Sequence, residues 1–93
     1  MLSEFESLLP DAFAARIKRA GIINAMDDKN FAAAVKATRR KKLILAGVTH
    51  DVCVVFPALD LVRDGFEVQV VADAGGSPSS IGDDMALRRM EQA

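Results

Sequence analysis

The chain is predicted to be α/β, a partial doubly wound parallel sheet flanked by helices, and three observations predict it. Apolar runs of strand length alternate with segments whose apolar residues recur at helical spacing, the order that βαβ units produce. The core residues available are Val, Ile, Leu and Ala, with five Phe and no Trp or Tyr, the usual filling of a parallel sheet covered by helices. Ninety-three residues without an internal repeat or a linker fit one small domain, near the lower size at which a single core is adequate.

Taken in order, Leu2, Phe5, Leu8 and Leu9 recur at helical spacing, and Pro10 with Asp11 is expected to end that helix. Ala15 to Arg19 alternates weakly, as a short strand or an extended loop closed by Gly21. Asp27 or Asp28 can cap a helix through about Ala37, with Phe31, Ala34 and Val35 facing inward. The basic run RRKK, residues 39–42, reads as a solvated turn with its cations near a helix C-terminus. KLILAGV, residues 42–48, is a continuous apolar run of strand length, expected to be buried on both faces. From Asp51 to Asp64 the pattern is helical, with Val55, Leu59 and Val62 on one face and Gly65 as C-cap. Pro57 removes a backbone donor inside that helix, so a kink or a late start is expected. FEVQVVAD, residues 66–73, is a second strand, and the turn-rich AGGSPSS follows it. Ser80 and Asp83 resemble a capping box for a last helix carrying Ile81, Leu87 and Met90.

Composition narrows the function. A net charge of −1 gives no reason to expect nucleic acid or an anionic membrane as a partner. No apolar run approaches the roughly 18 residues of a membrane span, and no signal-peptide pattern opens the chain. A single cysteine excludes an intrachain disulfide and suits a reducing cytoplasm. A lone His without ligand partners at metal spacing suggests neither a metal nor another cofactor.

In open parallel sheets, ligands collect beyond the strand C-terminal ends. Two loops fall there, GVTHDVC and DAGGSPSS. Cys53 lies in the first turn of the helix after the first of these strands, where free N–H groups and the helix dipole favour the thiolate, the nucleophilic form. The same N–H groups can stabilise an oxyanion on an attacked carbonyl. Position alone leaves a second reading open, a buried structural cysteine. His50, three residues before Cys53, is either a base for the thiol or a loop and cap residue. GGSPSS matches no phosphate-loop motif and reads as a turn.

The segment from INAMDDKNF through AGVTHDVCV, FPAL, GFEV and DAGGS to ALRRMEQA resembles the isochorismatase-like cysteine hydrolase superfamily, in particular its YcaC-related branch. The motifs come in the family's order from about Leu9 to Ala93, so residues 1–93 are read as a partial isochorismatase-like hydrolase domain. The resemblance implies a parallel α/β sheet with helices on both faces and a hydrolase using a cysteine nucleophile, an aspartate base and a basic residue. It places the nucleophile on Cys53 and the basic residue on Arg19, which precedes AGIINA where the branch reads Arg-Pro-Gly-x-Ile-Asn-Ala. It also implies a cis peptide between Val48 and Thr49, aiming the Thr49 and Cys53 amides at one point as an oxyanion hole. His50 and Asn24 are candidates for a substrate-contacting loop. The implied partners are a small-molecule substrate and further copies of the chain, as a homo-oligomer, with no metal.

Departures from the pattern matter. The family's aspartate ends a first strand for which this chain has no counterpart, so the sequence looks like an interior fragment of a longer domain. His50 stands where the family usually has Thr, and Met26 replaces a typical Trp. The expected function is therefore hydrolysis of a small amide-like C–N substrate through a Cys53 thioester, impaired in this chain. The alternative is a non-catalytic remnant serving as a structural or oligomerisation module.

Overall fold

The computed structural model describes residues 3–19 and 21–93; Leu2, assigned from the sequence to the first helix, lies outside them. The elements are α1 (Ser3–Leu8), α2 (Pro10–Ala14), a 3-10 turn (Ala25–Asp27), α3 (Lys29–Ala37), β1 (Lys42–Leu45), a π turn (His50–Val54), α4 (Val55–Arg63), β2 (Glu67–Val70) and α5 (Ser80–Gln92). The strands pair in parallel, from Lys42 opposite Glu67 to Leu45 opposite Val70. The connection between them is α4, which packs on β2 and on α5, so the unit is a βαβ crossover with a further helix laid against it. The α/β parallel architecture is as the alternating pattern predicts.

Local chemistry explains most boundaries. Pro10 does not simply end the first helix: it sits at the start of α2, where its missing N–H would be unpaired anyway and its fixed φ suits the helix. Between α2 and the 3-10 turn no strand forms among the described residues, which leaves the extended-loop reading for Ala15–Arg19. The Asp28 carboxylate caps α3, accepting from the Asn30 and Phe31 amides at 3.0 and 3.1 Å. Gly65, with φ of 92°, closes α4: its N–H donates to the Val62 carbonyl and that of Phe66 to the Leu61 carbonyl, both at 3.0 Å. The cap of α5 is Ser79 rather than Ser80, its hydroxyl accepting from the Gly82 amide at 3.1 Å. Asp83 is thereby freed from a capping box and turns elsewhere.

The core is small. Val54, Val55, Ala58, Leu61 and Ala86 are its buried apolar residues, gathered where α4 meets the sheet and α5. On α4 the inward stripe runs through Val55, Ala58 and Leu61, while Val62 is exposed. Both stripes satisfy helical spacing, and α5, which brings its own buried Ala86 against α4, selects the one with the small Ala58. The expected burial of β1 on both faces does not occur. Leu43 and Leu45 are half-buried, but Ile44, on the opposite face, is 71% exposed. Among the described residues nothing packs on that side, and no strand pairs with the second edge of β1. On α5, Leu87 and Met90 are half-buried and Ile81 is exposed.

Candidate active site

Beyond β1 the chain enters the loop that carries Cys53. The Val48–Thr49 peptide in this loop is cis, and the π turn begins directly after it. The wider winding is visible in the bond from the Val54 amide to the Thr49 carbonyl at 3.0 Å and in that from the Val55 amide to the His50 carbonyl. Pro57 lies just inside α4, so the regular helix starts late, at Val55. The head of a helical segment leaves several N–H groups without intrahelical partners. Here the first of them are taken by the other loop: His50 N–H donates to the Gly76 carbonyl at 3.0 Å, and Asp51 N–H to Ser77 Oγ at 3.2 Å. Among the described residues, no group outside the turn accepts from the Val52 or Cys53 amide.

Cys53 is exposed and lines a groove of about 580 Å³, together with Arg19, Arg16, Val48, Phe31 and residues along the open edge of β1, Leu43 and Ile44. The Arg19 guanidinium is held locally, donating to the Ile22 carbonyl at 3.0 Å and lying 5.8 Å from the centre of the Phe31 ring. Arg16 donates to the Phe13 carbonyl at 2.6 Å. No carboxylate among the described residues lines the groove, so it offers a thiol and two cations but no resident base.

The structure therefore brings Cys53, Arg19 and Val48 to one groove, with Thr49 adjoining it, and puts His50 and Asn24 elsewhere. His50 is fully buried, and its Nδ1 lies 2.8 Å from Asp83 Oδ1. A carboxylate only accepts, so Nδ1 carries the hydrogen. Asn24 ties the 3-10 turn to α4: its amide nitrogen donates to Asp60 Oδ2 at 2.8 Å, and its oxygen accepts from the Met26 amide at 3.0 Å. His50 is therefore shut off from the groove by its burial, and Asn24 is not among the residues that line it.

Two participants escaped the sequence reading, Asp83 and Ser77. Ser77 Oγ donates to the same Asp83 oxygen at 2.8 Å, so one carboxylate oxygen gathers the turn, the second loop and α5. Hydrogen bonds from Ser77 and then from His50 hold the Asp83 carboxyl below its ordinary range. A depressed carboxyl contributes stability that is present above the unfolded-state value and lost as pH falls through the folded one. Acid unfolding of the wild type is therefore expected to include a loss below about pH 4 that Asp83→Asn removes. Circular dichroism across that range checks it.

The contact between the two loops also fixes Gly75. A Cβ at this position would stand 1.9 Å from the Gly47 carbonyl oxygen and 2.8 Å from His50 Nε2. Backbone cannot yield as a flexible side chain does, so Gly75→Ala is expected to cost about 1–3 kcal/mol as overpacking, measured by urea unfolding. A neutral result would mean that the loops do not meet as described.

Among the described residues no group of metal-ligating side chains forms, and no helix is long and apolar enough to cross a membrane. Comparison with known proteins gives a consistent result. The isochorismatase domain family matches residues 4–93. The chain is 45% identical over 93 residues to a protein of Escherichia coli K12 named Probable hydrolase YcaC, covering all of this chain and 44% of that one. The structure of YcaC from Pseudomonas aeruginosa, described with hexane-2,5-diol and covalent acrylamide, aligns with a TM-score of 0.90 at 44% identity, over 99% of this chain and 45% of that one. The Escherichia coli YcaC structure, described as an octameric hydrolase of unknown specificity, aligns with a TM-score of 0.90 at 47% identity, over 99% and 44% of the two chains. The chain thus spans less than half the length of these relatives.

Proposed function

Because the chain belongs to the isochorismatase family, we propose that it carries the nucleophile half of a cysteine hydrolase site acting on a small amide-like substrate. The observation that carries this reading is the placement of Cys53: exposed in the π turn that leads into α4 and facing the same groove as Arg19. The Cys53 thiolate adds to the substrate carbonyl carbon, forming a C–S bond and an oxyanion that nearby amides can hold. The oxyanion collapses, the C–N bond breaks, and the amine leaves with a proton. Water then adds to the thioester and releases the acid and the thiol. The Arg19 guanidinium keeps its charge and suits a thiolate or an anionic part of the substrate. The covalent acrylamide described for the Pseudomonas relative supports the reading, since acrylamide is an electrophile to which thiolates add.

Both proton transfers need a base, commonly worth 10²–10⁴-fold in rate, and none of the described residues lining the groove supplies one. The 93-residue chain is therefore proposed to be acylated at Cys53 by substrates whose leaving group needs no proton, and to turn amides over slowly or not at all. The octamer described for the Escherichia coli relative supports assembly with further copies, which could supply the missing group. The reading places the protein in the cytoplasm. A second reading, a non-catalytic remnant with a role in assembly, is favoured by that same missing carboxylate.

An activated acyl ester separates the two, because its phenolate leaves without an acid. The expected result is a burst of released phenolate equal to the Cys53 content, followed by a stall, with no burst from Cys53→Ala. Absence of a burst from the wild type would overturn the nucleophile reading. Sustained turnover that depends on Cys53 would contradict the proposed impairment.

A further inference from the structure

We propose that Asp83 is a positioning residue for Cys53, acting through His50 and Ser77; the proposal rests on the nucleophile reading above. Four bonds converge on the head of the turn. The His50 backbone N–H goes to the Gly76 carbonyl, the Asp51 N–H to Ser77 Oγ, the Ser77 hydroxyl to Asp83 Oδ1, and His50 Nδ1–H to that same oxygen. Removing Asp83 unties both the side chain of the turn's first residue and the hydroxyl that holds its second.

The arrangement has a consequence for the amides near the thiol. The loop uses the N–H groups of His50 and Asp51, and the next two in sequence, those of Val52 and Cys53, have no acceptor outside the turn among the described residues. The network therefore decides which amides are spent on structure and which stay near the thiol. Helix geometry alone would leave this choice to water.

His50 makes the link rigid. Its side chain is fully buried, its Nε2 has no hydrogen-bond partner among the described residues, and Gly75 lies so near that end of the ring that an added Cβ would stand 2.8 Å from Nε2. Asp83 is thus the only described partner of a buried imidazole. Without it both ring nitrogens would be unsatisfied, a state that buried polar groups avoid by moving. Movement of His50 moves the turn, because His50 is its first residue. The same burial removes His50 as a base for the thiol. Its effect on Cys53 is through placement.

The test is the rate of Cys53 alkylation by iodoacetamide at neutral pH, measured on the full chain under conditions where circular dichroism shows each variant folded. Asp83→Ala is expected to slow alkylation by about tenfold, less than the roughly 10²-fold that a misplacement of about 1 Å can cost a bound reactant. His50→Asn keeps a donor near the position of Nδ1 and should recover most of the wild-type rate, whereas His50→Ala should not. A merely structural role would lower the melting temperature of all three and leave the rates of the folded proteins alike, which would overturn the proposal. If Asp83→Ala does not fold, Asp83→Asn, which preserves volume, is compared with His50→Asn in its place.

Amide hydrogen exchange at Asp51, Val52 and Cys53 keeps the test independent of thiol chemistry. If wild-type Cys53 proves no more reactive than an unstructured cysteine, the nucleophile reading fails. The placement claim then stands on faster exchange at these three amides in Asp83→Ala, and unchanged exchange overturns it.

Discussion

Leu61→Ala is expected to destabilise the domain by about 2–5 kcal/mol, the range for emptying a leucine-sized site in a packed core. Leu61 is 1% exposed and is the largest fully buried apolar side chain. It has few neighbours to share its role, since among the described residues the buried apolar set is completed by Val54, Val55, Pro57, Ala58 and Ala86. Small domains have total stabilities near the low end of about 5–15 kcal/mol, so such a loss removes most or all of the margin. Leu61 also lines the groove beside Val54 and Pro57, so the cavity would open next to the Cys53 turn. Urea unfolding followed by circular dichroism checks the figure. A cost under about 1 kcal/mol would show that the core lies elsewhere.

The second large effect concerns association. The chain exposes 6841 Å², whereas a compact monomer of 10.0 kDa exposes about 5200 Å². The excess, roughly 1600 Å², is about twice the ~800 Å² that each partner gives to a standard protein interface. Much of it is apolar: Val48 is 73% exposed, Ile44 71% and Ile23 59%, and the first two border the groove along the unpaired edge of β1. An open apolar strand edge is a template for pairing. The purified chain is therefore expected to sediment as an oligomer at micromolar concentration. Ile44→Lys, which sets a charge on that edge strand, should weaken association by at least about tenfold. A wild-type chain that stays monomeric at micromolar concentration would refute the expectation.

The parts of the fold that were legible in the sequence are those set by short-range chemistry. Asp28 caps α3 and Gly65 closes α4 because each acts within one turn of its own position. The parallel pairing of β1 with β2 follows from an apolar run, a helix and a second run in succession. What stayed hidden depends on distant partners. Asp83 lies three residues after Ser80, which suggested a capping box, yet its carboxylate bonds to His50, 33 positions away. The one-sided burial of β1 was unreadable for a related reason: an apolar strand signals what it would bury, and Ile44 has nothing described to cover it.

The site divides along the same line. Cys53 was a candidate from position, at the head of a helix after a strand, but position could not separate a nucleophile from a core residue. Its exposure now argues against the core. Arg19 had no physical signature in the sequence and was found only through the resemblance to relatives. His50 was suspected for the wrong reason, its nearness to Cys53 in the chain. The turn points its ring inward, and its significance lies in the contact with Asp83.

The central claim is that the turn activates Cys53, and the reaction of the folded chain with acrylamide at neutral pH tests it most directly, followed by intact mass against the same chain unfolded in urea. Cys53 in the folded chain is predicted to react at least about tenfold faster. A folded thiol that reacts no faster than the unfolded one would contradict the account.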